Sequence, residues 1–346
     1  MKHQLKKVLT ILILLVSFGI YEKASAVQPN QSDHPKTVVE MFGLIHAKGN
    51  QIVDKNENPV ALHGMSLFWS QSIGKYYNEK CIDWLYNDFH CTVVRAAMGI
   101  EGGGYLNNPE TEIAKVFTVI DECIKLGIYV VVDWHDHRAQ RHLEKAKQFF
   151  DLVSERYGDK PNIIYELYNE PLKVSWSDTV KPYAEEVIKV IRKNDPDNLI
   201  VVGNPTWSQD VDVAAKDPIK DVNVAYSLHF YTSTHKQYLR DKALDAMKNG
   251  AALFVTEYGT SESNGNGIID SLGTATWLSF VKEHKLSTCD WSVADKNETS
   301  AALKPGANPE GGWNDSELSV SGKFNRDFIR TENEEIFKII SGGNSR

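Results

Sequence analysis

The sequence predicts an α/β protein folded as a single (β/α)8 barrel, and three observations carry that expectation. Short apolar runs rich in β-branched residues alternate with amphipathic helical patterns along nearly the whole chain, the order that builds a parallel sheet wrapped by helices. Runs such as Ile128-Tyr129-Val130-Val131-Val132 are apolar at every position, which marks strands buried on both faces. After the first strand stands His63-Gly64-Met65-Ser66, which is not the glycine-rich phosphate turn of an open nucleotide-binding sheet.

In chain order, Lys2, Lys6 and Lys7 precede an apolar run from Val8 to Ile20, and Ala24-Ser25-Ala26 follows as a small-x-small site. This is the pattern of a secretory signal peptide over residues 1–26. The run falls short of the roughly 20 apolar residues of a spanning helix, so a secreted, extracellular protein without a membrane anchor is expected. Residues 27–40, with Gln28, Pro29, Asn30, Gln31 and Ser32, read as a short polar arm, and 41–346 as one domain. Strands are expected near 60–65, 92–97, 128–134, 163–169, 199–203, 223–230, 252–257 and 288–292. Helical patterns fall near 79–89, 110–126, 141–157, 179–194, 236–249, 274–285 and 325–340. Gly127, between a helical stretch and a strand, reads as a helix C-cap.

Composition narrows the function. The 346 residues are 42% hydrophobic and 24% charged with a net charge of −8, a balance that disfavours nucleic acid and anionic membranes as partners. Eight Trp, 14 Tyr and 13 Phe supply flat apolar faces for a core or for a flat neutral ligand. Cys81, Cys91, Cys123 and Cys289 show no C-x-x-C spacing, and buried, unpaired packing is the expected state.

Ligands of such barrels meet the C-terminal ends of the strands. Those positions read His63, Arg95, His135, Asn169-Glu170, Thr206-Trp207, His229 with Tyr231, Glu257 and Trp291. Nearly all are polar, ionisable or large aromatics. Glu170 and Glu257 each close an apolar strand, where an unpaired charge is costly. Glycoside hydrolysis needs two such carboxyl groups, one to protonate the leaving oxygen and one to attack or to activate water. Arg95 and His229 are placed to keep one carboxylate ionised, Tyr231 to hydrogen-bond the nucleophile, and Asn169 to bind a sugar 2-hydroxyl. Glu166 is expected deeper in the barrel and Glu262 in a solvated loop. Asp133-Trp134-His135-Asp136-His137 invites a metal reading, but the later strand ends lack a matching ligand set. No metal or cofactor is expected.

Asn169-Glu170-Pro171, preceded by Ile163-Ile164-Tyr165-Glu166-Leu167, resembles the Asn-Glu-Pro signature of glycoside hydrolase family 5. Val93-Val94-Arg95-Ala96-Ala97-Met98, Asp133-Trp134-His135, Leu228-His229-Phe230-Tyr231 and Thr256-Glu257-Tyr258-Gly259 are similar to its bacterial endoglucanase branch. The resemblance covers roughly residues 40 to 332. It implies a (β/α)8 TIM barrel and a retaining endo-β-1,4-glucanase (a cellulase) without a metal, acting on a β-glucan polysaccharide; a monomer is expected. By position, Glu170 would be the acid/base and Glu257 the nucleophile. Arg95, His135, Asn169, His229 and Tyr231 would surround them. The resemblance places Trp291 beneath the sugar being cleaved. His63, Trp69, Tyr105, Lys296 and Glu298 would line the glycone side, and Trp207 the leaving-group side. Asp136 to Gln140 and Gln71-Ser72-Ile73 depart from the family pattern at the cleft rim, which leaves the number of subsites open. A β-mannanase or mixed-linkage glucanase would use the same pair. A noncatalytic carbohydrate-binding barrel would have lost one of the two carboxylates.

Overall fold

The structure, a computed structural model, describes residues 35–342, so the expected signal peptide and most of the arm lie outside the described residues. The arm's expected end at residue 40 falls inside helix α1 (Val38–Phe42), which Thr37 caps by accepting from the Glu40 amide. Val38 is fully buried, so burial makes this segment part of the domain. Gly127 explains why the segment docks there. It sits at φ 67° as the C-cap of α3, and a Cβ on it would lie 2.4 Å from the Thr37 side chain. Its carbonyl accepts from the Val39 amide at 2.9 Å. Only glycine meets both demands.

A short antiparallel hairpin follows, β1 (His46–Lys48) and β2 (Gln51–Val53). Asn223, just before β8, ties it to the barrel floor by accepting from the Ala47 amide (2.7 Å) and donating to the Ile45 carbonyl (3.0 Å). Three-residue strands are too short to show a periodicity, and the sequence reading missed both.

Eight parallel strands then close a barrel: β3 (His63–Leu67), β4 (Val93–Gly99), β5 (Tyr129–His135), β6 (Ile163–Glu166), β7 (Ile200–Val202), β8 (Val224–Tyr231), β9 (Leu253–Gly259) and β10 (Ser287–Val293). Each pairs with its sequence neighbours, and β10 returns to β3. The outer helices are α2 (Glu79–Asn87), α3 (Pro109–Leu126), α4 (Leu143–Tyr157), α5 (Lys181–Ile191), α6 (Pro205–Ser208), α7 (Val211–Lys216), α8 (Gln237–Lys248), α9 (Ser271–Glu283) and α10 (Val320–Ile340). Their starts are chemically marked: Asn78, Asp270 and Ser319 accept amide hydrogens at α2, α9 and α10, and Pro109 opens α3, where its missing N–H costs nothing. All four cysteines are free and buried, as their spacing suggested. No helix among the described residues is long and apolar enough to cross a membrane.

Two expectations fail here. His63 begins β3 instead of ending it, opposite Thr288 near the start of β10. The strand runs on through Met65 to Leu67, so His63 belongs to the barrel floor. There its Nδ1 meets Thr288 Oγ1 at 2.8 Å and its ring meets Phe328 edge-on. Tyr105 follows β4, but its ring packs edge-on against Trp134 and Phe149. Trp134 alternates with Asp133 and His135 along β5 and so faces the outer layer. Tyr105 is therefore core between barrel and helices.

Candidate active site

Alternation along the strands brings the polar residues of β4, β5, β6 and β8 into the barrel mouth. On β9 the alternation breaks. Ser227 pairs with Phe254 but His229 pairs with Glu257, so β9 carries one extra residue, a β-bulge. The neighbours Thr256 and Glu257 consequently both reach the interior. Thr256 bonds Glu166 and His229, and Glu257 bonds Arg95 and Tyr231. Asn169 and Glu170 lie beyond β6, held alongside β5 by their amides on the Trp134 and Asp136 carbonyls at 3.3 and 3.4 Å.

Arg95 is the hub. Fully buried, it donates to Glu166 (2.7 Å), Glu257 (3.0 Å), Asn169 Oδ1 (2.6 Å) and Ser66 (3.3 Å), and pairs with Asp133 at 2.8 Å. A buried guanidinium with this many acceptors is compensated, and removing one carboxylate would leave charge stranded. Burial opposes the ionisation of Glu166, but Arg95 and His229 bring its carboxyl down to about 2. Burial pushes Asp133 well above the usual carboxylate range against the pull of Arg95, and it keeps His135 neutral. Burial and the Glu170 charge raise the Glu257 carboxyl, against the pull of His229, Arg95 and Tyr231. Tyr231 donates to Glu257 Oε1 at 2.8 Å. His229 touches Glu170 Oε1 through Nδ1 at 3.0 Å and Thr256 through Nε2 at 2.9 Å. Although burial opposes it, its contacts with Glu166 and Glu170 raise its pKa to about 9. His229 Nδ1 thus faces the Glu170 carboxylate across a single 3.0 Å contact.

Glu170 and Glu257 each bring a carboxylate oxygen within 4.8 Å of the other. Two hollows meet at this pair. One, about 210 Å3, is lined by Phe68, Trp69, Trp291, Lys296 and Glu298. The other, about 520 Å3, is lined by Lys173, Trp207, Gln209 and His235. Trp291 is 5% exposed, stacked on His135 (5.2 Å, 4°) and leaning on Phe68 (5.1 Å). Its peptide bond to Ser292 is cis. Lys296 pairs with Glu298 and sits 4.7 Å over the Phe68 ring. The structure thus gathers Arg95, His135, Asn169, Glu170, His229, Tyr231, Glu257 and Trp291 around one centre, with Trp69, Lys296 and Glu298 on one side and Trp207 on the other. Glu166 lies deeper and Glu262 is exposed, as expected. Phe68, Lys173, Gln209 and His235 were missed. Phe68 follows the apolar β3, where nothing in the sequence separates a cleft aromatic from a core one, and the others lie in loops where pattern carries no signal.

Barrel, carboxyl pair and aromatic cleft together define a glycoside hydrolase, and the chain belongs to the cellulase family, glycosyl hydrolase family 5, whose model matches residues 53–297. Within that family it groups with endoglucanases. It is 45% identical over 331 residues to endoglucanase A of Evansella cellulosilytica, covering 94% of this chain and 67% of that one. It is 44% identical to endoglucanase Z of Dickeya dadantii, covering 83% of this chain and 66% of that one. The chain thus spans about two thirds of the length of these relatives. A solved structure from Cytophaga hutchinsonii superposes with TM-score 0.87 at 52% identity, over 88% of this chain and 99% of that chain. The catalytic domain of Thermobifida fusca endoglucanase Cel5A in complex with cellotetraose superposes with TM-score 0.81 at 32% identity, over 85% of this chain and 99% of that one.

Proposed function

We propose that this chain is a secreted, retaining endoglucanase that cleaves internal β-1,4-glucosidic bonds of cellulose or a related β-glucan. It acts as a monomer without a cofactor. Glu257 attacks the anomeric carbon while Glu170 protonates the departing oxygen. In the second step Glu170 takes a proton from water, which attacks the same carbon and frees Glu257. The observation that carries this is the approach of the two carboxylates. Retaining sites hold their carboxyl groups about 5 to 5.5 Å apart, and inverting sites about 6.5 to 9.5 Å to admit a water. Carboxylate oxygens within 4.8 Å of each other support the closer, retaining arrangement.

The partners of each carboxylate support this division of labour. Glu257 is gripped by Arg95 and Tyr231, which favour the carboxylate a nucleophile must be. Among the described residues the Glu170 carboxylate pairs with two histidines, His229 at 3.0 Å and His137 at 3.6 Å, which suits a group that gains and loses a proton each turnover. Asn169 Nδ2 is a buried donor without a partner among the described residues, beside the acid, ready for a sugar 2-hydroxyl. The relatives named endoglucanases and the neighbour complexed with cellotetraose support a β-1,4-glucan as substrate. The Lys2-to-Ala26 pattern supports secretion.

Replacing the nucleophile tests the assignment. Glu257→Gln should lower kcat by several orders of magnitude, at about 1.4 kcal/mol of barrier per factor of ten, with an unchanged circular dichroism spectrum. Near-normal turnover by a folded Glu257→Gln enzyme would remove Glu257 from the mechanism.

A further inference from the structure

His235 lies in the turn after β8 and is held from three sides. Its amide donates to the Tyr231 carbonyl at 2.8 Å, the Tyr231 amide donates to its Nδ1 at 2.8 Å, and Trp277 Nε1 donates to its carbonyl at 2.8 Å. The contact at Nδ1 has a definite polarity. A backbone N–H only donates, so Nδ1 must present its lone pair, and the neutral ring then carries its proton on Nε2. That Nε2 has no hydrogen-bond partner among the described residues, nor is it sealed from solvent. The side chain lines the 520 Å3 hollow with Lys173, Trp207 and Gln209. A second proton would have to displace the Tyr231 amide. Burial also pushes the imidazole down to about 4, against the pull of Glu170. The ring is therefore neutral in the ordinary working range and can offer this cavity only a donor.

We propose that His235 is a binding residue of the leaving-group site, its Nε2–H donating to a hydroxyl of the glucosyl unit that leaves the anomeric carbon as Glu170 protonates its oxygen. This rests on the acid/base reading above and on the Trp207 side being the leaving-group side, as the resemblance implies; the Trp207 amide donates to the Pro171 carbonyl at 2.9 Å, next to Glu170. It also gives Tyr231 a second duty. The hydroxyl of Tyr231 orients the nucleophile, and its amide fixes the donor tautomer one subsite away. A leaving group without sugar hydroxyls has nothing for His235 to hold.

The test compares two substrates in the full chain: cellotetraose, whose leaving group is a sugar, and 2,4-dinitrophenyl β-cellobioside, whose leaving group is not. For His235→Phe, kcat/KM on cellotetraose should fall about tenfold further than on the aryl cellobioside, the size of one net hydrogen bond. His235→Gln retains an amide donor and should restore the ratio to within about threefold of wild type. An equal fall on both substrates, an unchanged ratio, or no rescue by Gln would overturn the proposal. Wild-type enzyme and cello-oligosaccharides deoxygenated singly on the leaving unit give the same answer without a variant. One position should lose about tenfold in kcat/KM, and a flat series would count against His235. The anomer that wild type releases from the aryl cellobioside checks the underlying catalytic reading separately, so the two failures are distinguishable.

Discussion

Tyr231 touches Glu257, the proposed nucleophile, directly, and its hydrogen bond has a measurable consequence. Glu257 must be ionised to attack, and burial with the neighbouring Glu170 already raises its pKa above the ordinary 4.5. The Tyr231 hydroxyl works in the opposite direction. Tyr231→Phe should therefore raise the Glu257 pKa further and move the acid limb of the kcat/KM profile to higher pH. A hydrogen bond to a charged group contributes about 1.5 to 3 kcal/mol, so the displacement should be about one pH unit or more. A limb that stays in place, or moves to lower pH, would show that Tyr231 does not stabilise the ionised nucleophile. At this scale much of the site was legible. Arg95, Glu170, His229 and Glu257 stand out because charged side chains in or beside apolar strands need partners. Phe68 did not, because an aromatic beside an apolar strand looks the same in sequence whether it faces core or cleft.

Two elements present tryptophans to the cleft, and they do so differently. Trp207 sits in α6, where Thr206, Trp207 and Ser208 all have φ between 55° and 59°. Left-handed backbone costs non-glycine residues roughly 1–2 kcal/mol each, and it is borne at a turn that projects an indole 38% exposed. The turn is pinned by the Ser208 hydroxyl on the Asn169 carbonyl at 2.7 Å, beside Glu170. Nothing in Pro205-Thr206-Trp207-Ser208 announces a left-handed turn, and neither α6 nor α7 was foreseen. Trp291, at the end of β10, is almost buried between Phe68 and His135. Trp207→Ala should therefore weaken cello-oligosaccharide binding, measured calorimetrically, while the melting temperature changes little. Trp291→Ala should weaken binding and also cost stability, in the range of about 3–5 kcal/mol for a filled site. If Trp207→Ala melts as early as Trp291→Ala with its affinity intact, the Trp207 indole is packing and not platform.

The barrel as a whole was the most legible feature, because eight apolar strands with helices between them leave few alternatives. All eight appear, most within two residues of the expected bounds. Where bounds slipped, site residues slipped with them. Ending β3 too early put His63 at the mouth when it lies on the floor, and Tyr105 was carried to the cleft by resemblance when its ring fills the outer layer. The β9 bulge was also invisible, since an extra residue in an apolar strand breaks no pattern until its neighbours are known. That bulge turns Glu257 toward Glu170 from the opposite wall, so the stereochemical course of hydrolysis reports on the whole barrel. The direct measurement is proton NMR of cello-oligosaccharide hydrolysis at early times, before mutarotation. Carboxylate oxygens within 4.8 Å predict that the β-anomer appears first. An α-anomer appearing first would contradict the double displacement and with it the role given to Glu257.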